Sequence, residues 1–136
     1  MKYSDIEDAF MFVSMSSPYE HEAYLDKETG ETFYVSDMGD LNELPDDLEG
    51  NDTYISIPHK NDLNLGRDLV FDFVSENFPD EFGKVREIFS RKGAYARYKD
   101  FLEAKGKLDA WYEFENKATE KAIRAWIKEN GIELED

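Results

Sequence analysis

Ser90-Arg-Lys-Gly-Ala-Tyr-Ala-Arg-Tyr-Lys-Asp100 is the stretch on which the fold turns. Apolar residues at helical spacing precede it: Phe82, Val85, Ile88 and Phe89. Another helical stripe follows: Tyr95, Tyr98, Phe101 and Leu102. Gly93 stands between them. A glycine closes a helix well because it takes the left-handed conformation without a Cβ penalty. The spacing therefore predicts a helix ending at Gly93 and a new one beginning at about Ala94. Arg91 and Lys92 are then expected at the negative end of the first helix dipole.

Working outward, Gly106 ends the second of these helices. A last helix runs from about Leu108 to Asn130. Leu108, Trp111, Tyr112, Ala118, Ala122, Ile123 and Trp126 recur at three- and four-residue spacing, and Asn130-Gly131-Ile132 reads as a glycine C-cap. Upstream, Leu65, Leu69, Val70, Phe73 and Val74 form one more apolar helix face, interrupted at Asn77-Phe-Pro-Asp80.

The first half reads differently. Ser4-Asp-Ile-Glu7 fits a capping box, with Ile6, Ala9, Phe10 and Val13 following and Ser16-Ser17-Pro18 as the stop. Ala23-Tyr-Leu25 and Thr32-Phe-Tyr-Val35 are strand-like. Asp26 and Gly30 supply the turn chemistry between them. Tyr54-Ile-Ser-Ile57 is a third strand, cut off at Pro58, and three short strands in sequence predict an antiparallel meander. Between the second and third strands, residues 37–52 read as an acidic loop with a solvated face. Residues 133–136 read as a frayed acidic tail. The class is α+β in a single domain over residues 1–136. It comprises an N-terminal helix, a small antiparallel sheet of about three strands and a four-helix C-terminal half.

Charge is uneven. The net value is −16, yet residues 84–107 hold 8 of the 16 Lys and Arg against 3 Asp and Glu. Residues 1–83 hold 4 Lys and Arg against 21 acids. Acidity on this scale disfavours nucleic-acid binding, which needs clustered cations facing phosphate. There is no cysteine, which removes disulfides, thiolate metal sites and cysteine nucleophiles. No apolar run reaches the ~20 residues of a membrane helix. Met1-Lys-Tyr-Ser-Asp-Ile-Glu-Asp turns acidic at once, without a secretory apolar core. A cytoplasmic protein is expected. Nothing in the spacing calls for a cofactor or a metal. There is no Walker loop, no Gly-x-Ser-x-Gly elbow and no His-Glu-x-x-His helix.

The candidate site is the basic corner: Arg91, Lys92, Gly93, Arg97 and Lys99. Gly93 permits close backbone approach, the helix after it presents N–H groups, and Arg97 sits one turn in, able to turn back. Against this stands a structural reading, in which the cations complement a helix end and Tyr95 and Tyr98 are core. His21 and His59 read as surface or capping residues, and nothing in the spacing pairs them. Trp111-Tyr112 with Phe114 reads as core and rim.

The Tyr24-Leu-Asp-Lys-Glu-Thr-Gly-Glu31 hairpin resembles a bacterial family known as uncharacterised protein family 0158. So do Ile57-Pro58, Phe71-Asp-Phe73, Pro79-Asp80, Arg91 to Asp100, Trp111-Tyr112, Ala125-Trp126 and Glu129-Asn-Gly131. The resemblance runs from Ile6 to Ile132. It implies a small cytosolic bacterial protein of unknown biochemical function, and it supplies no catalytic residues. The family's similar segment often carries Phe where Tyr95 and Tyr98 stand, which implies that their hydroxyls are dispensable. The insert at Asp37–Asp52 looks peculiar to this member.

The leading expectation is a noncatalytic binding or regulatory module that contacts another protein or an anion through the basic corner. A small enzyme acting on a phosphorylated or nucleotide-like substrate, using Arg97 with His59, is the second. An acidic nucleic-acid mimic is the third.

Overall fold

The computed structural model describes residues 1–15, 20–36, 41–45 and 52–135. The Ser16-Ser17-Pro18 stop and most of the acidic insert lie outside these residues. The elements run α1 (Tyr3–Ser14), β1 (His21–Asp26), β2 (Thr32–Ser36), β3 (Leu41–Asn42), β4 (Tyr54–Ser56), α2 (Arg67–Asn77), α3 (Phe82–Ile88), α4 (Ala94–Ala104) and α5 (Leu108–Glu129). Short 3-10 turns occupy Lys60–Leu63 and Pro79–Glu81. The expected order of N-terminal helix, antiparallel sheet and four helices is the one observed. Two compact units carry it. One comprises residues 1–63 with 123–136, and the other residues 64–122.

In the first unit β1 and β2 form the expected hairpin, with Ala23 opposite Tyr34. Its turn is made by Asp26. The carboxylate accepts the N–H groups of Glu28 and Thr29, at 2.9 and 3.4 Å, and the carbonyl accepts that of Gly30 at 2.8 Å. Gly30 has φ +81°, the conformation that closes the loop. β4 departs from the expected meander. It pairs with β1, Leu25 opposite Ile55, so the order is β3-β2-β1-β4, all antiparallel. That is a Greek-key order. The far edge of β2 is taken instead by β3. There Glu43, read from sequence as part of a solvated acidic face, accepts the Tyr34 N–H on its carboxylate at 2.9 Å.

α1 buries Ile6, Ala9, Phe10 and Val13, the stripe its periodicity predicts. Its cap lies two residues earlier than Ser4. The N-cap is Lys2, and the Asp5 carboxylate reaches back to accept the Lys2 N–H at 3.1 Å. An acid at the third helical position serves wherever the helix starts, so Asp5 takes the role assigned to Glu7. The end of α5 belongs to this unit, with Ile123 and Ile127 buried. Gly131 at φ +66° and the Ile132 N–H to the Ile127 carbonyl, 3.1 Å, complete the C-cap. The acidic tail is held: the Glu135 N–H donates to the Met1 carbonyl at 2.8 Å.

In the second unit the core is aromatic. Val70, Phe73 and Val74 of α2, Val85 of α3, Tyr98, Phe101 and Leu102 of α4, and Trp111 of α5 are all buried. Trp111 meets Phe73 and Tyr98 edge-on, with ring centroids 5.4 and 5.1 Å away. Aromatic pairs prefer this geometry because the positive ring edge faces the negative ring face.

Candidate functional site

The basic corner lies in the second unit and is built from the end of α3, a five-residue connector and the start of α4. The spacing predicts that Gly93 closes α3, and it does not. α3 stops at Ile88, because Phe89 turns into the core and its carbonyl is taken at 2.6 Å by the Arg67 guanidinium. Gly93 is instead the N-cap of α4, at φ +74°. Arg91 and Lys92 therefore sit in the connector rather than in the last turn of α3. Gly93→Ala is expected to cost about 1–2 kcal/mol, the penalty for a Cβ in left-handed backbone. The added Cβ would meet only Arg97 Nη1, at an ordinary 3.6 Å, so backbone conformation sets the cost. Urea midpoints check this. Asn, which tolerates the conformation, should recover part of the loss, whereas a neutral Ala would show that the corner is not strained.

Arg97 turns back over the corner, donating weakly to the Ile88 carbonyl at 3.5 Å. Arg91 lies 3.8 Å from the Glu87 carboxylate, both 73% exposed. Lys84 joins them. Lys84, Glu87, Ile88, Arg91 and Arg97 line one shallow groove of about 240 Å³. Of the five residues expected at the site, the structure brings Arg91 and Arg97 together over Ile88, beside the glycine corner. Lys92 is exposed and does not line the groove. Lys99 reaches the other way, its ammonium 5.7 Å from the Tyr112 ring centroid. Lys84 was absent from the sequence reading. Its signal was periodicity, since Lys84 and Ile88 stand four residues apart on one face of α3.

Tyr98 and Tyr95 diverge. Tyr95 is 39% exposed, while Tyr98 is fully buried. The Tyr98 hydroxyl finds no hydrogen-bond partner among the described residues. Burial, with the Glu115 carboxylate and Tyr95 nearby, pushes its ionisation far up. Neither hydroxyl belongs to the groove. Beside it, the Lys105 ammonium, hydrogen-bonded at 2.9 Å, holds the Glu81 carboxyl below its usual range.

The first unit has a cleft of its own, where β4 leaves β1. His21, Glu22, Ser56, His59 and Asp62 line it over Val13 and Ile57, enclosing about 90 Å³. Both histidines are buried, 8% and 5% exposed, which corrects their reading as surface residues. His21 is stacked on Phe12 at 4.8 Å, and its Nδ1 is hydrogen-bonded to Ser36 Oγ at 2.7 Å. His59 does cap: its Nδ1 accepts the Asn61 N–H, and its own N–H donates to Asp62 Oδ2, both at 3.0 Å. Among the described residues, no three His, Asp or Glu side chains converge as metal ligands would.

A small α+β protein with a basic groove on its helical unit and a histidine cleft on its sheet unit is thus defined. The chain belongs to the family described as Uncharacterised protein family (UPF0158), which it matches over residues 4–135. No curated protein and no solved structure matches it. Among the described residues no helix is long and apolar enough to cross a membrane.

Proposed function

We propose that this protein is a noncatalytic binding module that docks an acidic segment of another protein in the groove between α3 and α4. One observation carries the reading. Lys84, Arg91 and Arg97, from two helices and the connector, converge on one groove in a chain of net charge −16. A local reversal of sign against such a background selects an acidic partner and steers it to one place. Ile88 gives the groove an apolar floor for an aliphatic side chain. The absence of cysteine supports a cytoplasmic setting.

The test uses the full chain and a fluorescent peptide of alternating Glu and Leu. Binding read by anisotropy should weaken steeply with salt, as exposed charge pairs do. Arg91→Ala with Arg97→Ala should abolish it. The same pair should move stability by no more than about 0.5 kcal/mol, because both guanidinium contacts are exposed and long. Peptide binding unchanged in the double variant would sink the reading. Unfolding of that variant would show that the arginines hold the corner together.

A further inference from the structure

We propose a second, independent interface: the exposed face of α1 docks a basic amphipathic helix of another protein. The observations lie in the sheet unit and do not depend on the basic groove. The stripe that packs α1 onto its unit, Ile6, Ala9, Phe10 and Val13, is at most 5% exposed. Met11 and Met15 are left outside it, 49% and 73% exposed. Met15 caps the helix with helical backbone, φ −64° and ψ −29°, so the two thioethers stand one turn apart on one face. Phe12, three residues before Met15 and half-buried, extends the patch, and Tyr34 of β2 meets its ring edge-on at 5.0 Å. Single exposed apolar side chains are ordinary, but neighbouring ones form a surface that a partner can cover.

Carboxylates rim this patch. Asp8 shares the face of Met11, three residues before it. Burial first, then the charges of Asp8, Glu43 and Asp5, raise the Tyr34 phenol, which places three carboxylates around that ring. An apolar patch rimmed by acids fits a helix that carries leucine-like side chains on one face and Lys or Arg beside them. Its apolar side chains leave water against the methionines, and its cations meet the acids. Methionine suits the role, because an unbranched thioether adapts its shape to what is laid on it. A lipid surface fits less well, because the carboxylates would face anionic headgroups.

The test uses the full chain, isotope-labelled in the methyl groups of its four methionines. It is titrated with a helical peptide of Leu and Lys whose leucines recur at three- and four-residue spacing. The Met11 and Met15 methyl resonances, assigned through Met11→Leu and Met15→Leu, should move saturably, and that of Met1 should not. A peptide of the same composition, with its leucines scattered around the helix, should bind far more weakly. Met11→Ser with Met15→Ser should weaken binding of the first peptide about tenfold or more, the loss of two apolar contacts. The melting temperature should barely move, because both side chains are exposed. An absent or unsaturable methyl response overturns the proposal. So does equal binding of the scattered peptide, which would report charge attraction alone. Methyl shifts caused by phosphatidylglycerol vesicles and not by the peptide would assign the face to lipid and overturn it too. The comparison of the two peptides needs no variant, so misfolding of the double variant would leave it decisive.

Discussion

Trp111→Ala will remove about 3–5 kcal/mol from the stability of the helical unit, the range for deleting a large buried aromatic. Trp111 is 1% exposed. Its ring is met edge-on by Phe73 and Tyr98 and lies near-parallel to Phe114 at 6.2 Å. Those three neighbours come from α2, α4 and α5, so one side chain ties three helices. Removing it costs the transfer of its own surface and leaves a void that rings cannot easily fill. A loss of that size is comparable with the whole stability of a small unit. Trp111→Phe should retain most of it. The chain has two tryptophans, and Trp126 belongs to the sheet unit. In Trp111→Phe the emission of Trp126 therefore reports the sheet unit alone, while far-UV dichroism follows the helices. A Trp111→Ala variant that unfolds at the wild-type urea midpoint would show that Trp111 is not central to this core.

Features whose causes lie within a few residues were legible in the sequence. The hairpin was, because Asp26 supplies both the carboxylate and the carbonyl that close its own turn. The apolar stripes of α1, α2 and α4 were, because helical spacing records which face is buried. What escaped depends on distant residues. β4 chooses β1 over β2, and strand periodicity does not record which edge is open. α3 ends early because Arg67, on another helix, takes the Phe89 carbonyl. That reassigned Gly93 from a helix end to a helix start. The site divides the same way. Arg91 and Arg97 flank a local corner and could be paired by eye. His21 and His59 lie 38 positions apart and meet only because β4 runs beside β1. The sequence marked neither histidine as buried, since imidazole is at home both inside and outside.

Tyr98→Phe will raise stability, by about 1–2 kcal/mol. Most single substitutions in a core do the reverse. The ring is fully buried and well packed, with Phe89 at 5.5 Å and Trp111 at 5.1 Å, and Phe keeps that packing. What Phe removes is a hydroxyl with no partner among the described residues, and burying such a group costs about 1–3 kcal/mol. The gain should read as a rise in melting temperature of about 4 °C per kcal/mol. It should also depend on pH. In the unfolded chain tyrosine loses its proton near pH ~10. In the fold, burial first and the Glu115 carboxylate second hold the Tyr98 proton on to higher pH. Above that pH the unfolded state therefore binds fewer protons than the folded one, and stability falls as pH rises. The slope reaches about 1.4 kcal/mol per pH unit for each such tyrosine. Tyr24, Tyr34 and Tyr95 are raised as well, so the wild type and the variant share their contribution. The difference between the two proteins isolates Tyr98: a constant gain below pH ~10 that widens above it. A variant less stable than wild type at neutral pH would mean that the hydroxyl is satisfied in solution and that its loss, rather than its burial, is what costs.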